Sequence, residues 1–353
     1  MKIFSAVLLT PLLIFLGLLL WLAQEPEVVT VEIPADATAV LSDVRFSLPD
    51  GWEWGRLETE AGNIRWGRTT VVPSRATVVF LPGLSAPLEV YFETFSRLRA
   101  EGFNVLAMDW PGQGGSTRGS DDPQKIHATT LTGHVDALDL LLGQTLDGAS
   151  SQPQLLVGLS MGAQLGTRLL ARGEHTFDAA ALITPAYAIY GGRPNSIDKV
   201  LLHSLQAIGF GERYSPGSQA WQFDMDVYHE RASQCSHPND RTKLWQSSMV
   251  ANPALKVGGY TNSFVLALAE SAELARLAAI EGRFDLPVWM PIAGSDVFVD
   301  NAAAQAACDA LAQCELKEYP QARHCLFEEA DAYYRPFVDD LIVFLNRQAG
   351  DAL

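Results

Sequence analysis

The sequence predicts an α/β protein: a mainly parallel sheet with helices on both faces, an inserted cap, and one N-terminal transmembrane helix in front. Three observations predict it. Apolar, strand-length runs alternate with helix-length segments. Several of those runs are apolar at every position, as strands covered on both faces require. The alternation then stops for about a hundred residues between Pro185 and Leu286 before it resumes.

The first element is the uncharged run 3–23. As a helix rising about 1.5 Å per residue it spans about 31 Å, close to the hydrocarbon thickness of a bilayer. Lys2 and the α-amine precede it and Glu25 and Glu27 follow, so the positive-inside rule keeps the start cytoplasmic and exports the rest. Residues 1–24 are therefore expected to anchor the chain, with the body on the non-cytoplasmic side, periplasmic or extracellular. A cleaved signal peptide leaving a secreted protein is the competing reading, but Trp21 occupies the −3 position, two residues before Ala23, where cleavage wants a small residue.

Residues 24–43 carry Pro, Glu and Thr without a clear period and read as a tether into the main domain, 25–353. Strands are expected at 44–48, 64–72, 76–81, 104–108, 154–158, 179–183, 288–293 and 315–319. Helices are expected at 91–101, 129–142, 161–172, 302–311 and 333–347. The stretch 186–285 reads as a cap inserted in that domain, because a loop of that length without structure is rare, and 263–280 within it has a helical pattern. Its Trp221, Phe223, Tyr228, Trp245, Tyr260 and Phe264 suit either a small core or a substrate wall.

Composition narrows the partners. Lys and Arg number 25 against 41 Asp and Glu, a net charge of −16, which argues against a partner bound through phosphate neutralisation, nucleic acid above all. At 48% hydrophobic and 19% charged the chain is of the ordered globular kind, and its four cysteines are too few for a disulfide scaffold.

The chemistry starts at Gly158-Leu159-Ser160-Met161-Gly162, a G-x-S-x-G directly after an apolar strand and directly before a helix. A serine forced into a strained strand-to-helix turn presents its hydroxyl above the sheet edge, and the positions two before and two after it must lack bulk. The helix that follows points its free N–H groups at developing negative charge. The hydroxyl needs a base, and the base an orienting carboxylate, in the chain order Ser, acid, His. Of seven histidines only His324 lies late enough, after a strand and a loop. Asp296, just past the turn at Gly294, is the acid in preference to Asp300, which sits where a helix cap belongs. Two backbone donors are expected to hold the oxyanion: Met161 N–H after the nucleophile, and Leu84 N–H in the turn Pro82-Gly83-Leu84. This chemistry calls for no cofactor and no metal. The turn Gly112-Gln113-Gly114-Gly115-Ser116-Thr117 lacks the third glycine of a dinucleotide fingerprint, and His229, Cys235 and His237 match no common zinc spacing.

Together these residues resemble the α/β-hydrolase superfamily, and within it the bacterial lysophospholipase and monoglyceride-lipase-like serine hydrolases. Besides Gly158 to Gly162, the likeness rests on Asp109 to Ser116, Val257-Gly258-Gly259-Tyr260-Thr261, Gly294-Ser295-Asp296 and Arg323-His324-Cys325-Leu326-Phe327-Glu328. It implies Ser160 as nucleophile, Asp296 as acid, His324 as base, and Leu84 and Met161 as oxyanion donors. The implied activity is release of a fatty acid from a lysophospholipid or monoacylglycerol through an acyl-enzyme. The alternatives are a general carboxylesterase or peptidase of the same fold, and more remotely a non-catalytic binding module. Two positions depart from the pattern: Pro82 stands where monoglyceride lipases have His, and Cys325 where lysophospholipases usually have Glu. In an exported chain Cys308 and Cys314 can bridge if the intervening helix stops near Leu311; Cys325 lies by the histidine and Cys235 in the cap.

Overall fold

Eight strands form one sheet in the computed structural model, which describes residues 17, 31–146, 152–174, 177–189, 196–229 and 233–350. They are β1 (Glu53–Thr59), β2 (Gly62–Thr69), β3 (Ala76–Leu81), β4 (Phe103–Met108), β5 (Gln154–Leu159), β6 (Ala179–Ile183), β7 (Val288–Ala293) and β8 (Cys314–Tyr319). Their order across the sheet is β1-β2-β4-β3-β5-β6-β7-β8. β2 runs antiparallel to both β1 and β4, and every neighbour from β4 onward is parallel. The helices are α1 (Phe92–Ala100), α2 (Thr132–Thr145), α3 (Met161–Leu170), α4 (Ser196–Ala207), α5 (Met225–Tyr228), α6 (Asp240–Ala251), α7 (Asn262–Ile280), α8 (Asn301–Ala310) and α9 (Asp331–Ala349).

The doubly apolar strands are explained by a core on each face. Along β3, Val79 and Leu81 join the layer built with α2, α3, α7 and α8, while Ala76, Val78 and Phe80 join the layer built with α1 and α9. The period-2 alternation of a strand thus feeds two cores, so neither set of side chains can be polar.

Three expectations change. Residues 44–48 are no strand: Val44–Phe46 is a single 3-10 turn, because the Asp43 carboxylate accepts from Arg45 N–H at 2.9 Å and caps it. β1 was not foreseen, since Glu53-Trp54-Gly55-Arg56-Leu57-Glu58-Thr59 is an edge strand with mostly exposed side chains and no apolar run. Within 186–285, α7 packs on α3 and α8, and its Phe264, Ala267, Ala275 and Ala279 belong to the sheet's own core. The last part of the inserted stretch is therefore a covering helix of the sheet. The anchor expected at 1–24 lies outside the described residues but for Gly17; among the described residues no helix is long and apolar enough to cross a membrane.

Candidate active site

Three parallel strands each hand one side chain to the C-terminal edge of the sheet. Ser160 follows β5, Asp296 follows β7 by a short turn, and His324 follows β8 by a loop. Ser160 has φ 53° and ψ −112°, a left-handed φ that a side chain rarely adopts and that costs about 1–3 kcal/mol. Its main chain is held on both sides: Ser160 N–H donates to Ile183 O at 2.9 Å, and Ser160 O accepts from Gln164 N–H at 3.0 Å and Ala186 N–H at 3.2 Å. The flanking glycines are required by space. A Cβ at 158 would stand 2.7 Å from Ala163 N, and one at 162 would stand 2.1 Å from Leu81 O.

The side chains expected to work together do meet. The Ser160 hydroxyl donates to His324 Nε2 at 2.9 Å, and His324 Nδ1–H donates to Asp296 Oδ2 at 2.6 Å. The other Asp296 oxygen accepts from Phe298 N–H at 2.8 Å and Val299 N–H at 3.0 Å, which fixes the carboxylate. His324 and Asp296 are both buried, so this chain of hydrogen bonds is shielded from water. Asp300, the rival acid, caps α8 by accepting from Ala302 N–H at 2.9 Å.

The turn after β3 lies against the start of α3, as the close approach of Gly162 to the Leu81 and Pro82 carbonyls requires. Of its amides, Gly83 N–H donates to the Tyr91 hydroxyl at 3.4 Å and Ser85 N–H donates to Gln113 Oε1. Leu84 N–H, between them, has no acceptor among the described residues. Met161 N–H is the first amide of α3, one of those that a helix leaves without an internal partner.

Two positioning residues escaped the sequence reading. Gln113, buried in what reads as a plain glycine turn, fixes Ser85 beside Leu84. Thr184, at φ 38°, donates its hydroxyl to His324 O at 3.3 Å and its N–H to Pro291 O at 2.8 Å, tying the base's main chain to β6 and β7. The only sequence signal for Gln113 is an amide side chain inside a glycine turn; Thr184 gives none beyond its place at a strand end.

A cavity of about 500 Å³ opens beside this site, its wall including Leu84, Ser85, Trp245, Phe298, Cys325 and Glu328. The Phe298 ring lies 5.3 Å from the His324 ring, and Trp245 Nε1–H donates to Ser85 O at 3.0 Å. Of the cap aromatics, Trp245 thus faces the cavity, while Phe223 and Phe264 are core. Burial, and then the neighbouring Glu329 carboxylate, pushes the Glu328 carboxyl up to about 7. A cavity of about 180 Å³ lined by Arg68, Thr77, Asn104 and Thr145 sits where β3, β4 and β5 begin, at the opposite edge from Ser160.

All four cysteines are paired. α8 stops at Ala310, and Cys308 and Cys314 form a disulfide with Cα atoms 5.3 Å apart. The second disulfide joins Cys235 to Cys325 across 90 residues, with Cα atoms 5.1 Å apart. His237 Nδ1 lies 3.0 Å from the buried Glu329 carboxylate, so Cys235 and His237 both have partners other than a metal.

With this geometry in hand, the comparisons with known proteins agree among themselves. The family model described as serine aminopeptidase, S33, matches residues 72–331. The chain is 27% identical over 249 residues to a probable lysophospholipase L2 of Haemophilus influenzae, covering 70% of this chain and 77% of that one. It is 24% identical over 257 residues to a monoacylglycerol lipase of Mycolicibacterium smegmatis, covering 73% and 84%. Its fold is similar to that of a soluble variant of monoglyceride lipase from Saccharomyces cerevisiae, with a TM-score of 0.68 at 15% identity over 86% of this chain and 96% of that one. The sheet and its covering helices are those of an α/β hydrolase.

Proposed function

The chain belongs to the serine aminopeptidase S33 family of hydrolases, and from that membership we propose a serine ester hydrolase acting on single-chain lipids, a lysophospholipase or monoacylglycerol lipase that releases a fatty acid through an acyl-enzyme. One observation carries the mechanism: an unbroken hydrogen-bond path from Ser160 Oγ through the His324 imidazole to Asp296.

In this reading His324 Nε2 takes the Ser160 proton as the oxygen attacks the ester carbonyl. Leu84 and Met161 N–H groups hold the oxyanion; the free state of the Leu84 amide and the helix-start position of Met161 support those roles. The protonated imidazole, stabilised by Asp296, then returns the proton to the departing alcohol. A water deprotonated by His324 attacks the acyl-enzyme and frees the acid. The stretch that includes Trp245 acts as a cap, lining the cavity next to the oxyanion turn.

The proposal extends to location. Residues 1–24 anchor the chain with the catalytic body on the non-cytoplasmic side. The charge asymmetry around 3–23 supports this, and so do two disulfides, cross-links that persist in oxidising compartments.

A peptidase reading is second. It is favoured by the family's description and by Glu328 on the cavity wall, where a free amino terminus would find a carboxyl group. A panel of lysophosphatidylcholine, monoacylglycerol, short p-nitrophenyl esters and an aminoacyl p-nitroanilide, compared by kcat/KM, separates the readings. Ser160→Ala is expected to abolish both ester turnover and fluorophosphonate labelling. A variant still labelled at the parent's rate would remove Ser160 from the mechanism.

A further inference from the structure

The residues on both sides of His324 are tied to one short piece of the inserted stretch, 233–237. Before it, Arg323 donates from its guanidinium to Ser236 O at 3.1 Å and to Ser233 O. After it, Cys325 donates its N–H to Cys235 O at 2.7 Å and shares the disulfide with Cys235. A little further on, His237 N–H donates to the Glu329 carboxylate at 2.9 Å, and that carboxylate also accepts from Arg323 N–H at 2.7 Å. Of these ties only the disulfide is covalent, and it is fastened at the residue next to the imidazole. Among the described residues, the main chain of His324 itself is bonded to a strand end by Thr184 at 3.3 Å, and two residues earlier Ala322 O accepts from Ser295 N–H, after β7, at 3.0 Å.

We propose that Cys235 and Cys325 are positioning residues for His324, and that opening their disulfide lowers turnover by letting the His324 loop drift from Ser160. The inference rests on the Ser160–His324–Asp296 reading and adds a dependence on thiol state to it. The cross-link closes a loop of 90 residues, so without it the segment 233–237 must be held on the His324 loop by hydrogen bonds alone. A shift of about 1 Å in a group that moves a proton costs up to about a hundredfold in rate, and the remaining bonds reduce that. We set the expected loss at about tenfold in kcat.

The disulfide borders the cavity: both cysteines line it, Cys235 half-buried and Cys325 buried. The other disulfide is buried to the same degree, Cys308 buried and Cys314 half-buried, but lies at the end of α8 away from the His324 loop, and serves as an internal control. A dithiol reductant opens the bond in two exchanges. One thiolate attacks a protein sulfur and forms a mixed disulfide, and the second thiolate then displaces the remaining protein thiolate. Two electrons and two protons pass to Cys235 and Cys325, and the reductant leaves as a cyclic disulfide.

The experiment compares the parent chain, Cys235→Ser/Cys325→Ser, and Cys308→Ser/Cys314→Ser on a short p-nitrophenyl ester, with fluorophosphonate labelling and thermal unfolding on each. The first variant is expected to unfold cooperatively, to lose about tenfold in kcat with KM within about twofold of the parent, and to be labelled more slowly in proportion. The second keeps the parent's kcat. Should the first variant fail to fold, the parent reduced until mass spectrometry counts two thiols at 235 and 325 takes its place, and its kcat must return when an added disulfide oxidant closes the bond again. Parental kcat with this disulfide open, or an equal loss in the Cys308 and Cys314 variant, overturns the proposal. Loss of labelling in the oxidised parent would instead overturn the serine-hydrolase reading beneath it.

Discussion

Asp296 has both oxygens in use, one receiving the His324 Nδ1 proton at 2.6 Å and the other receiving two backbone amides. Replacing it by Asn keeps the shape and the backbone bonds but presents an amide to Nδ1, which favours the tautomer with its proton on Nε2, facing the serine. Asp296→Asn is therefore expected to lower kcat by about 10⁴-fold with little change in KM, measured on a soluble short-chain ester. A loss under about tenfold would move the orienting role elsewhere, first to Asp300. At this scale the site is largely legible in the sequence, for reasons of chain order. A nucleophile in a strand-to-helix turn leaves one histidine late enough to serve it, and Asp300's place at a helix start marks it as a cap. The pairing of Cys235 with Cys325 is not legible. Ninety intervening residues mean that only the tertiary fold decides which sulfurs meet.

At the scale of elements, helix α3 docks on the turn after β3 through Gly162, where an added methyl carbon would overlap a carbonyl oxygen at 2.1 Å. The obstacle is backbone on both sides, so it cannot be relieved by a rotamer change. Gly162→Ala is expected to push α3 away from the Leu84 turn and cut kcat/KM by at least about a hundredfold, with urea unfolding showing a loss of about 1–3 kcal/mol. Helix α2 carries a different burden. His134 is buried within it, 6.3 Å from the Trp110 ring, and burial draws its imidazole down to about 4. The unfolded chain binds a proton there near 6.5. Between pH 6.5 and 4, then, the unfolded state holds a proton that the folded state refuses, so stability present above pH 6.5 drains away as pH falls. His134→Gln should flatten that slope, sparing up to about 3 kcal/mol at pH 4 relative to pH 7.5, as read by urea titrations at several pH values. Element types were legible where one face or both are continuously apolar, as in β3, β6 and β7, whose limits match expectation. They were not legible where a side chain overrides the pattern. Asp43 turned Val44–Phe46, within the expected strand 44–48, into a 3-10 turn, and β1 takes its strand character from its partner β2 rather than from its own side chains.

Over the whole molecule, one of the ties between the inserted stretch and the sheet's body is a buried guanidinium. Arg241 on α6 pairs with Glu93 of α1 at 2.6 Å and with Asp331 of α9 at 2.8 Å, donates to Glu329 O at 3.0 Å, and lies 3.8 Å over the Tyr334 ring. Arg241→Met leaves Glu93 and a carbonyl without their donor, and is expected to cost about 3–5 kcal/mol in urea unfolding. A cost below about 1 kcal/mol would mean that the stretch is held chiefly by its apolar contacts. No such tie is visible from sequence, because Arg241, Glu93 and Asp331 are far apart along the chain and each reads alone as a surface charge. Strand β6 supplies no reacting group, yet residues 183–186 bond to the main chain of Ser160, to that of His324 and to β7 at Pro291. Proton giver and proton taker therefore ride on the same beam. The gap between them is set at this shared support, and at the cross-link that fastens the imidazole's own loop.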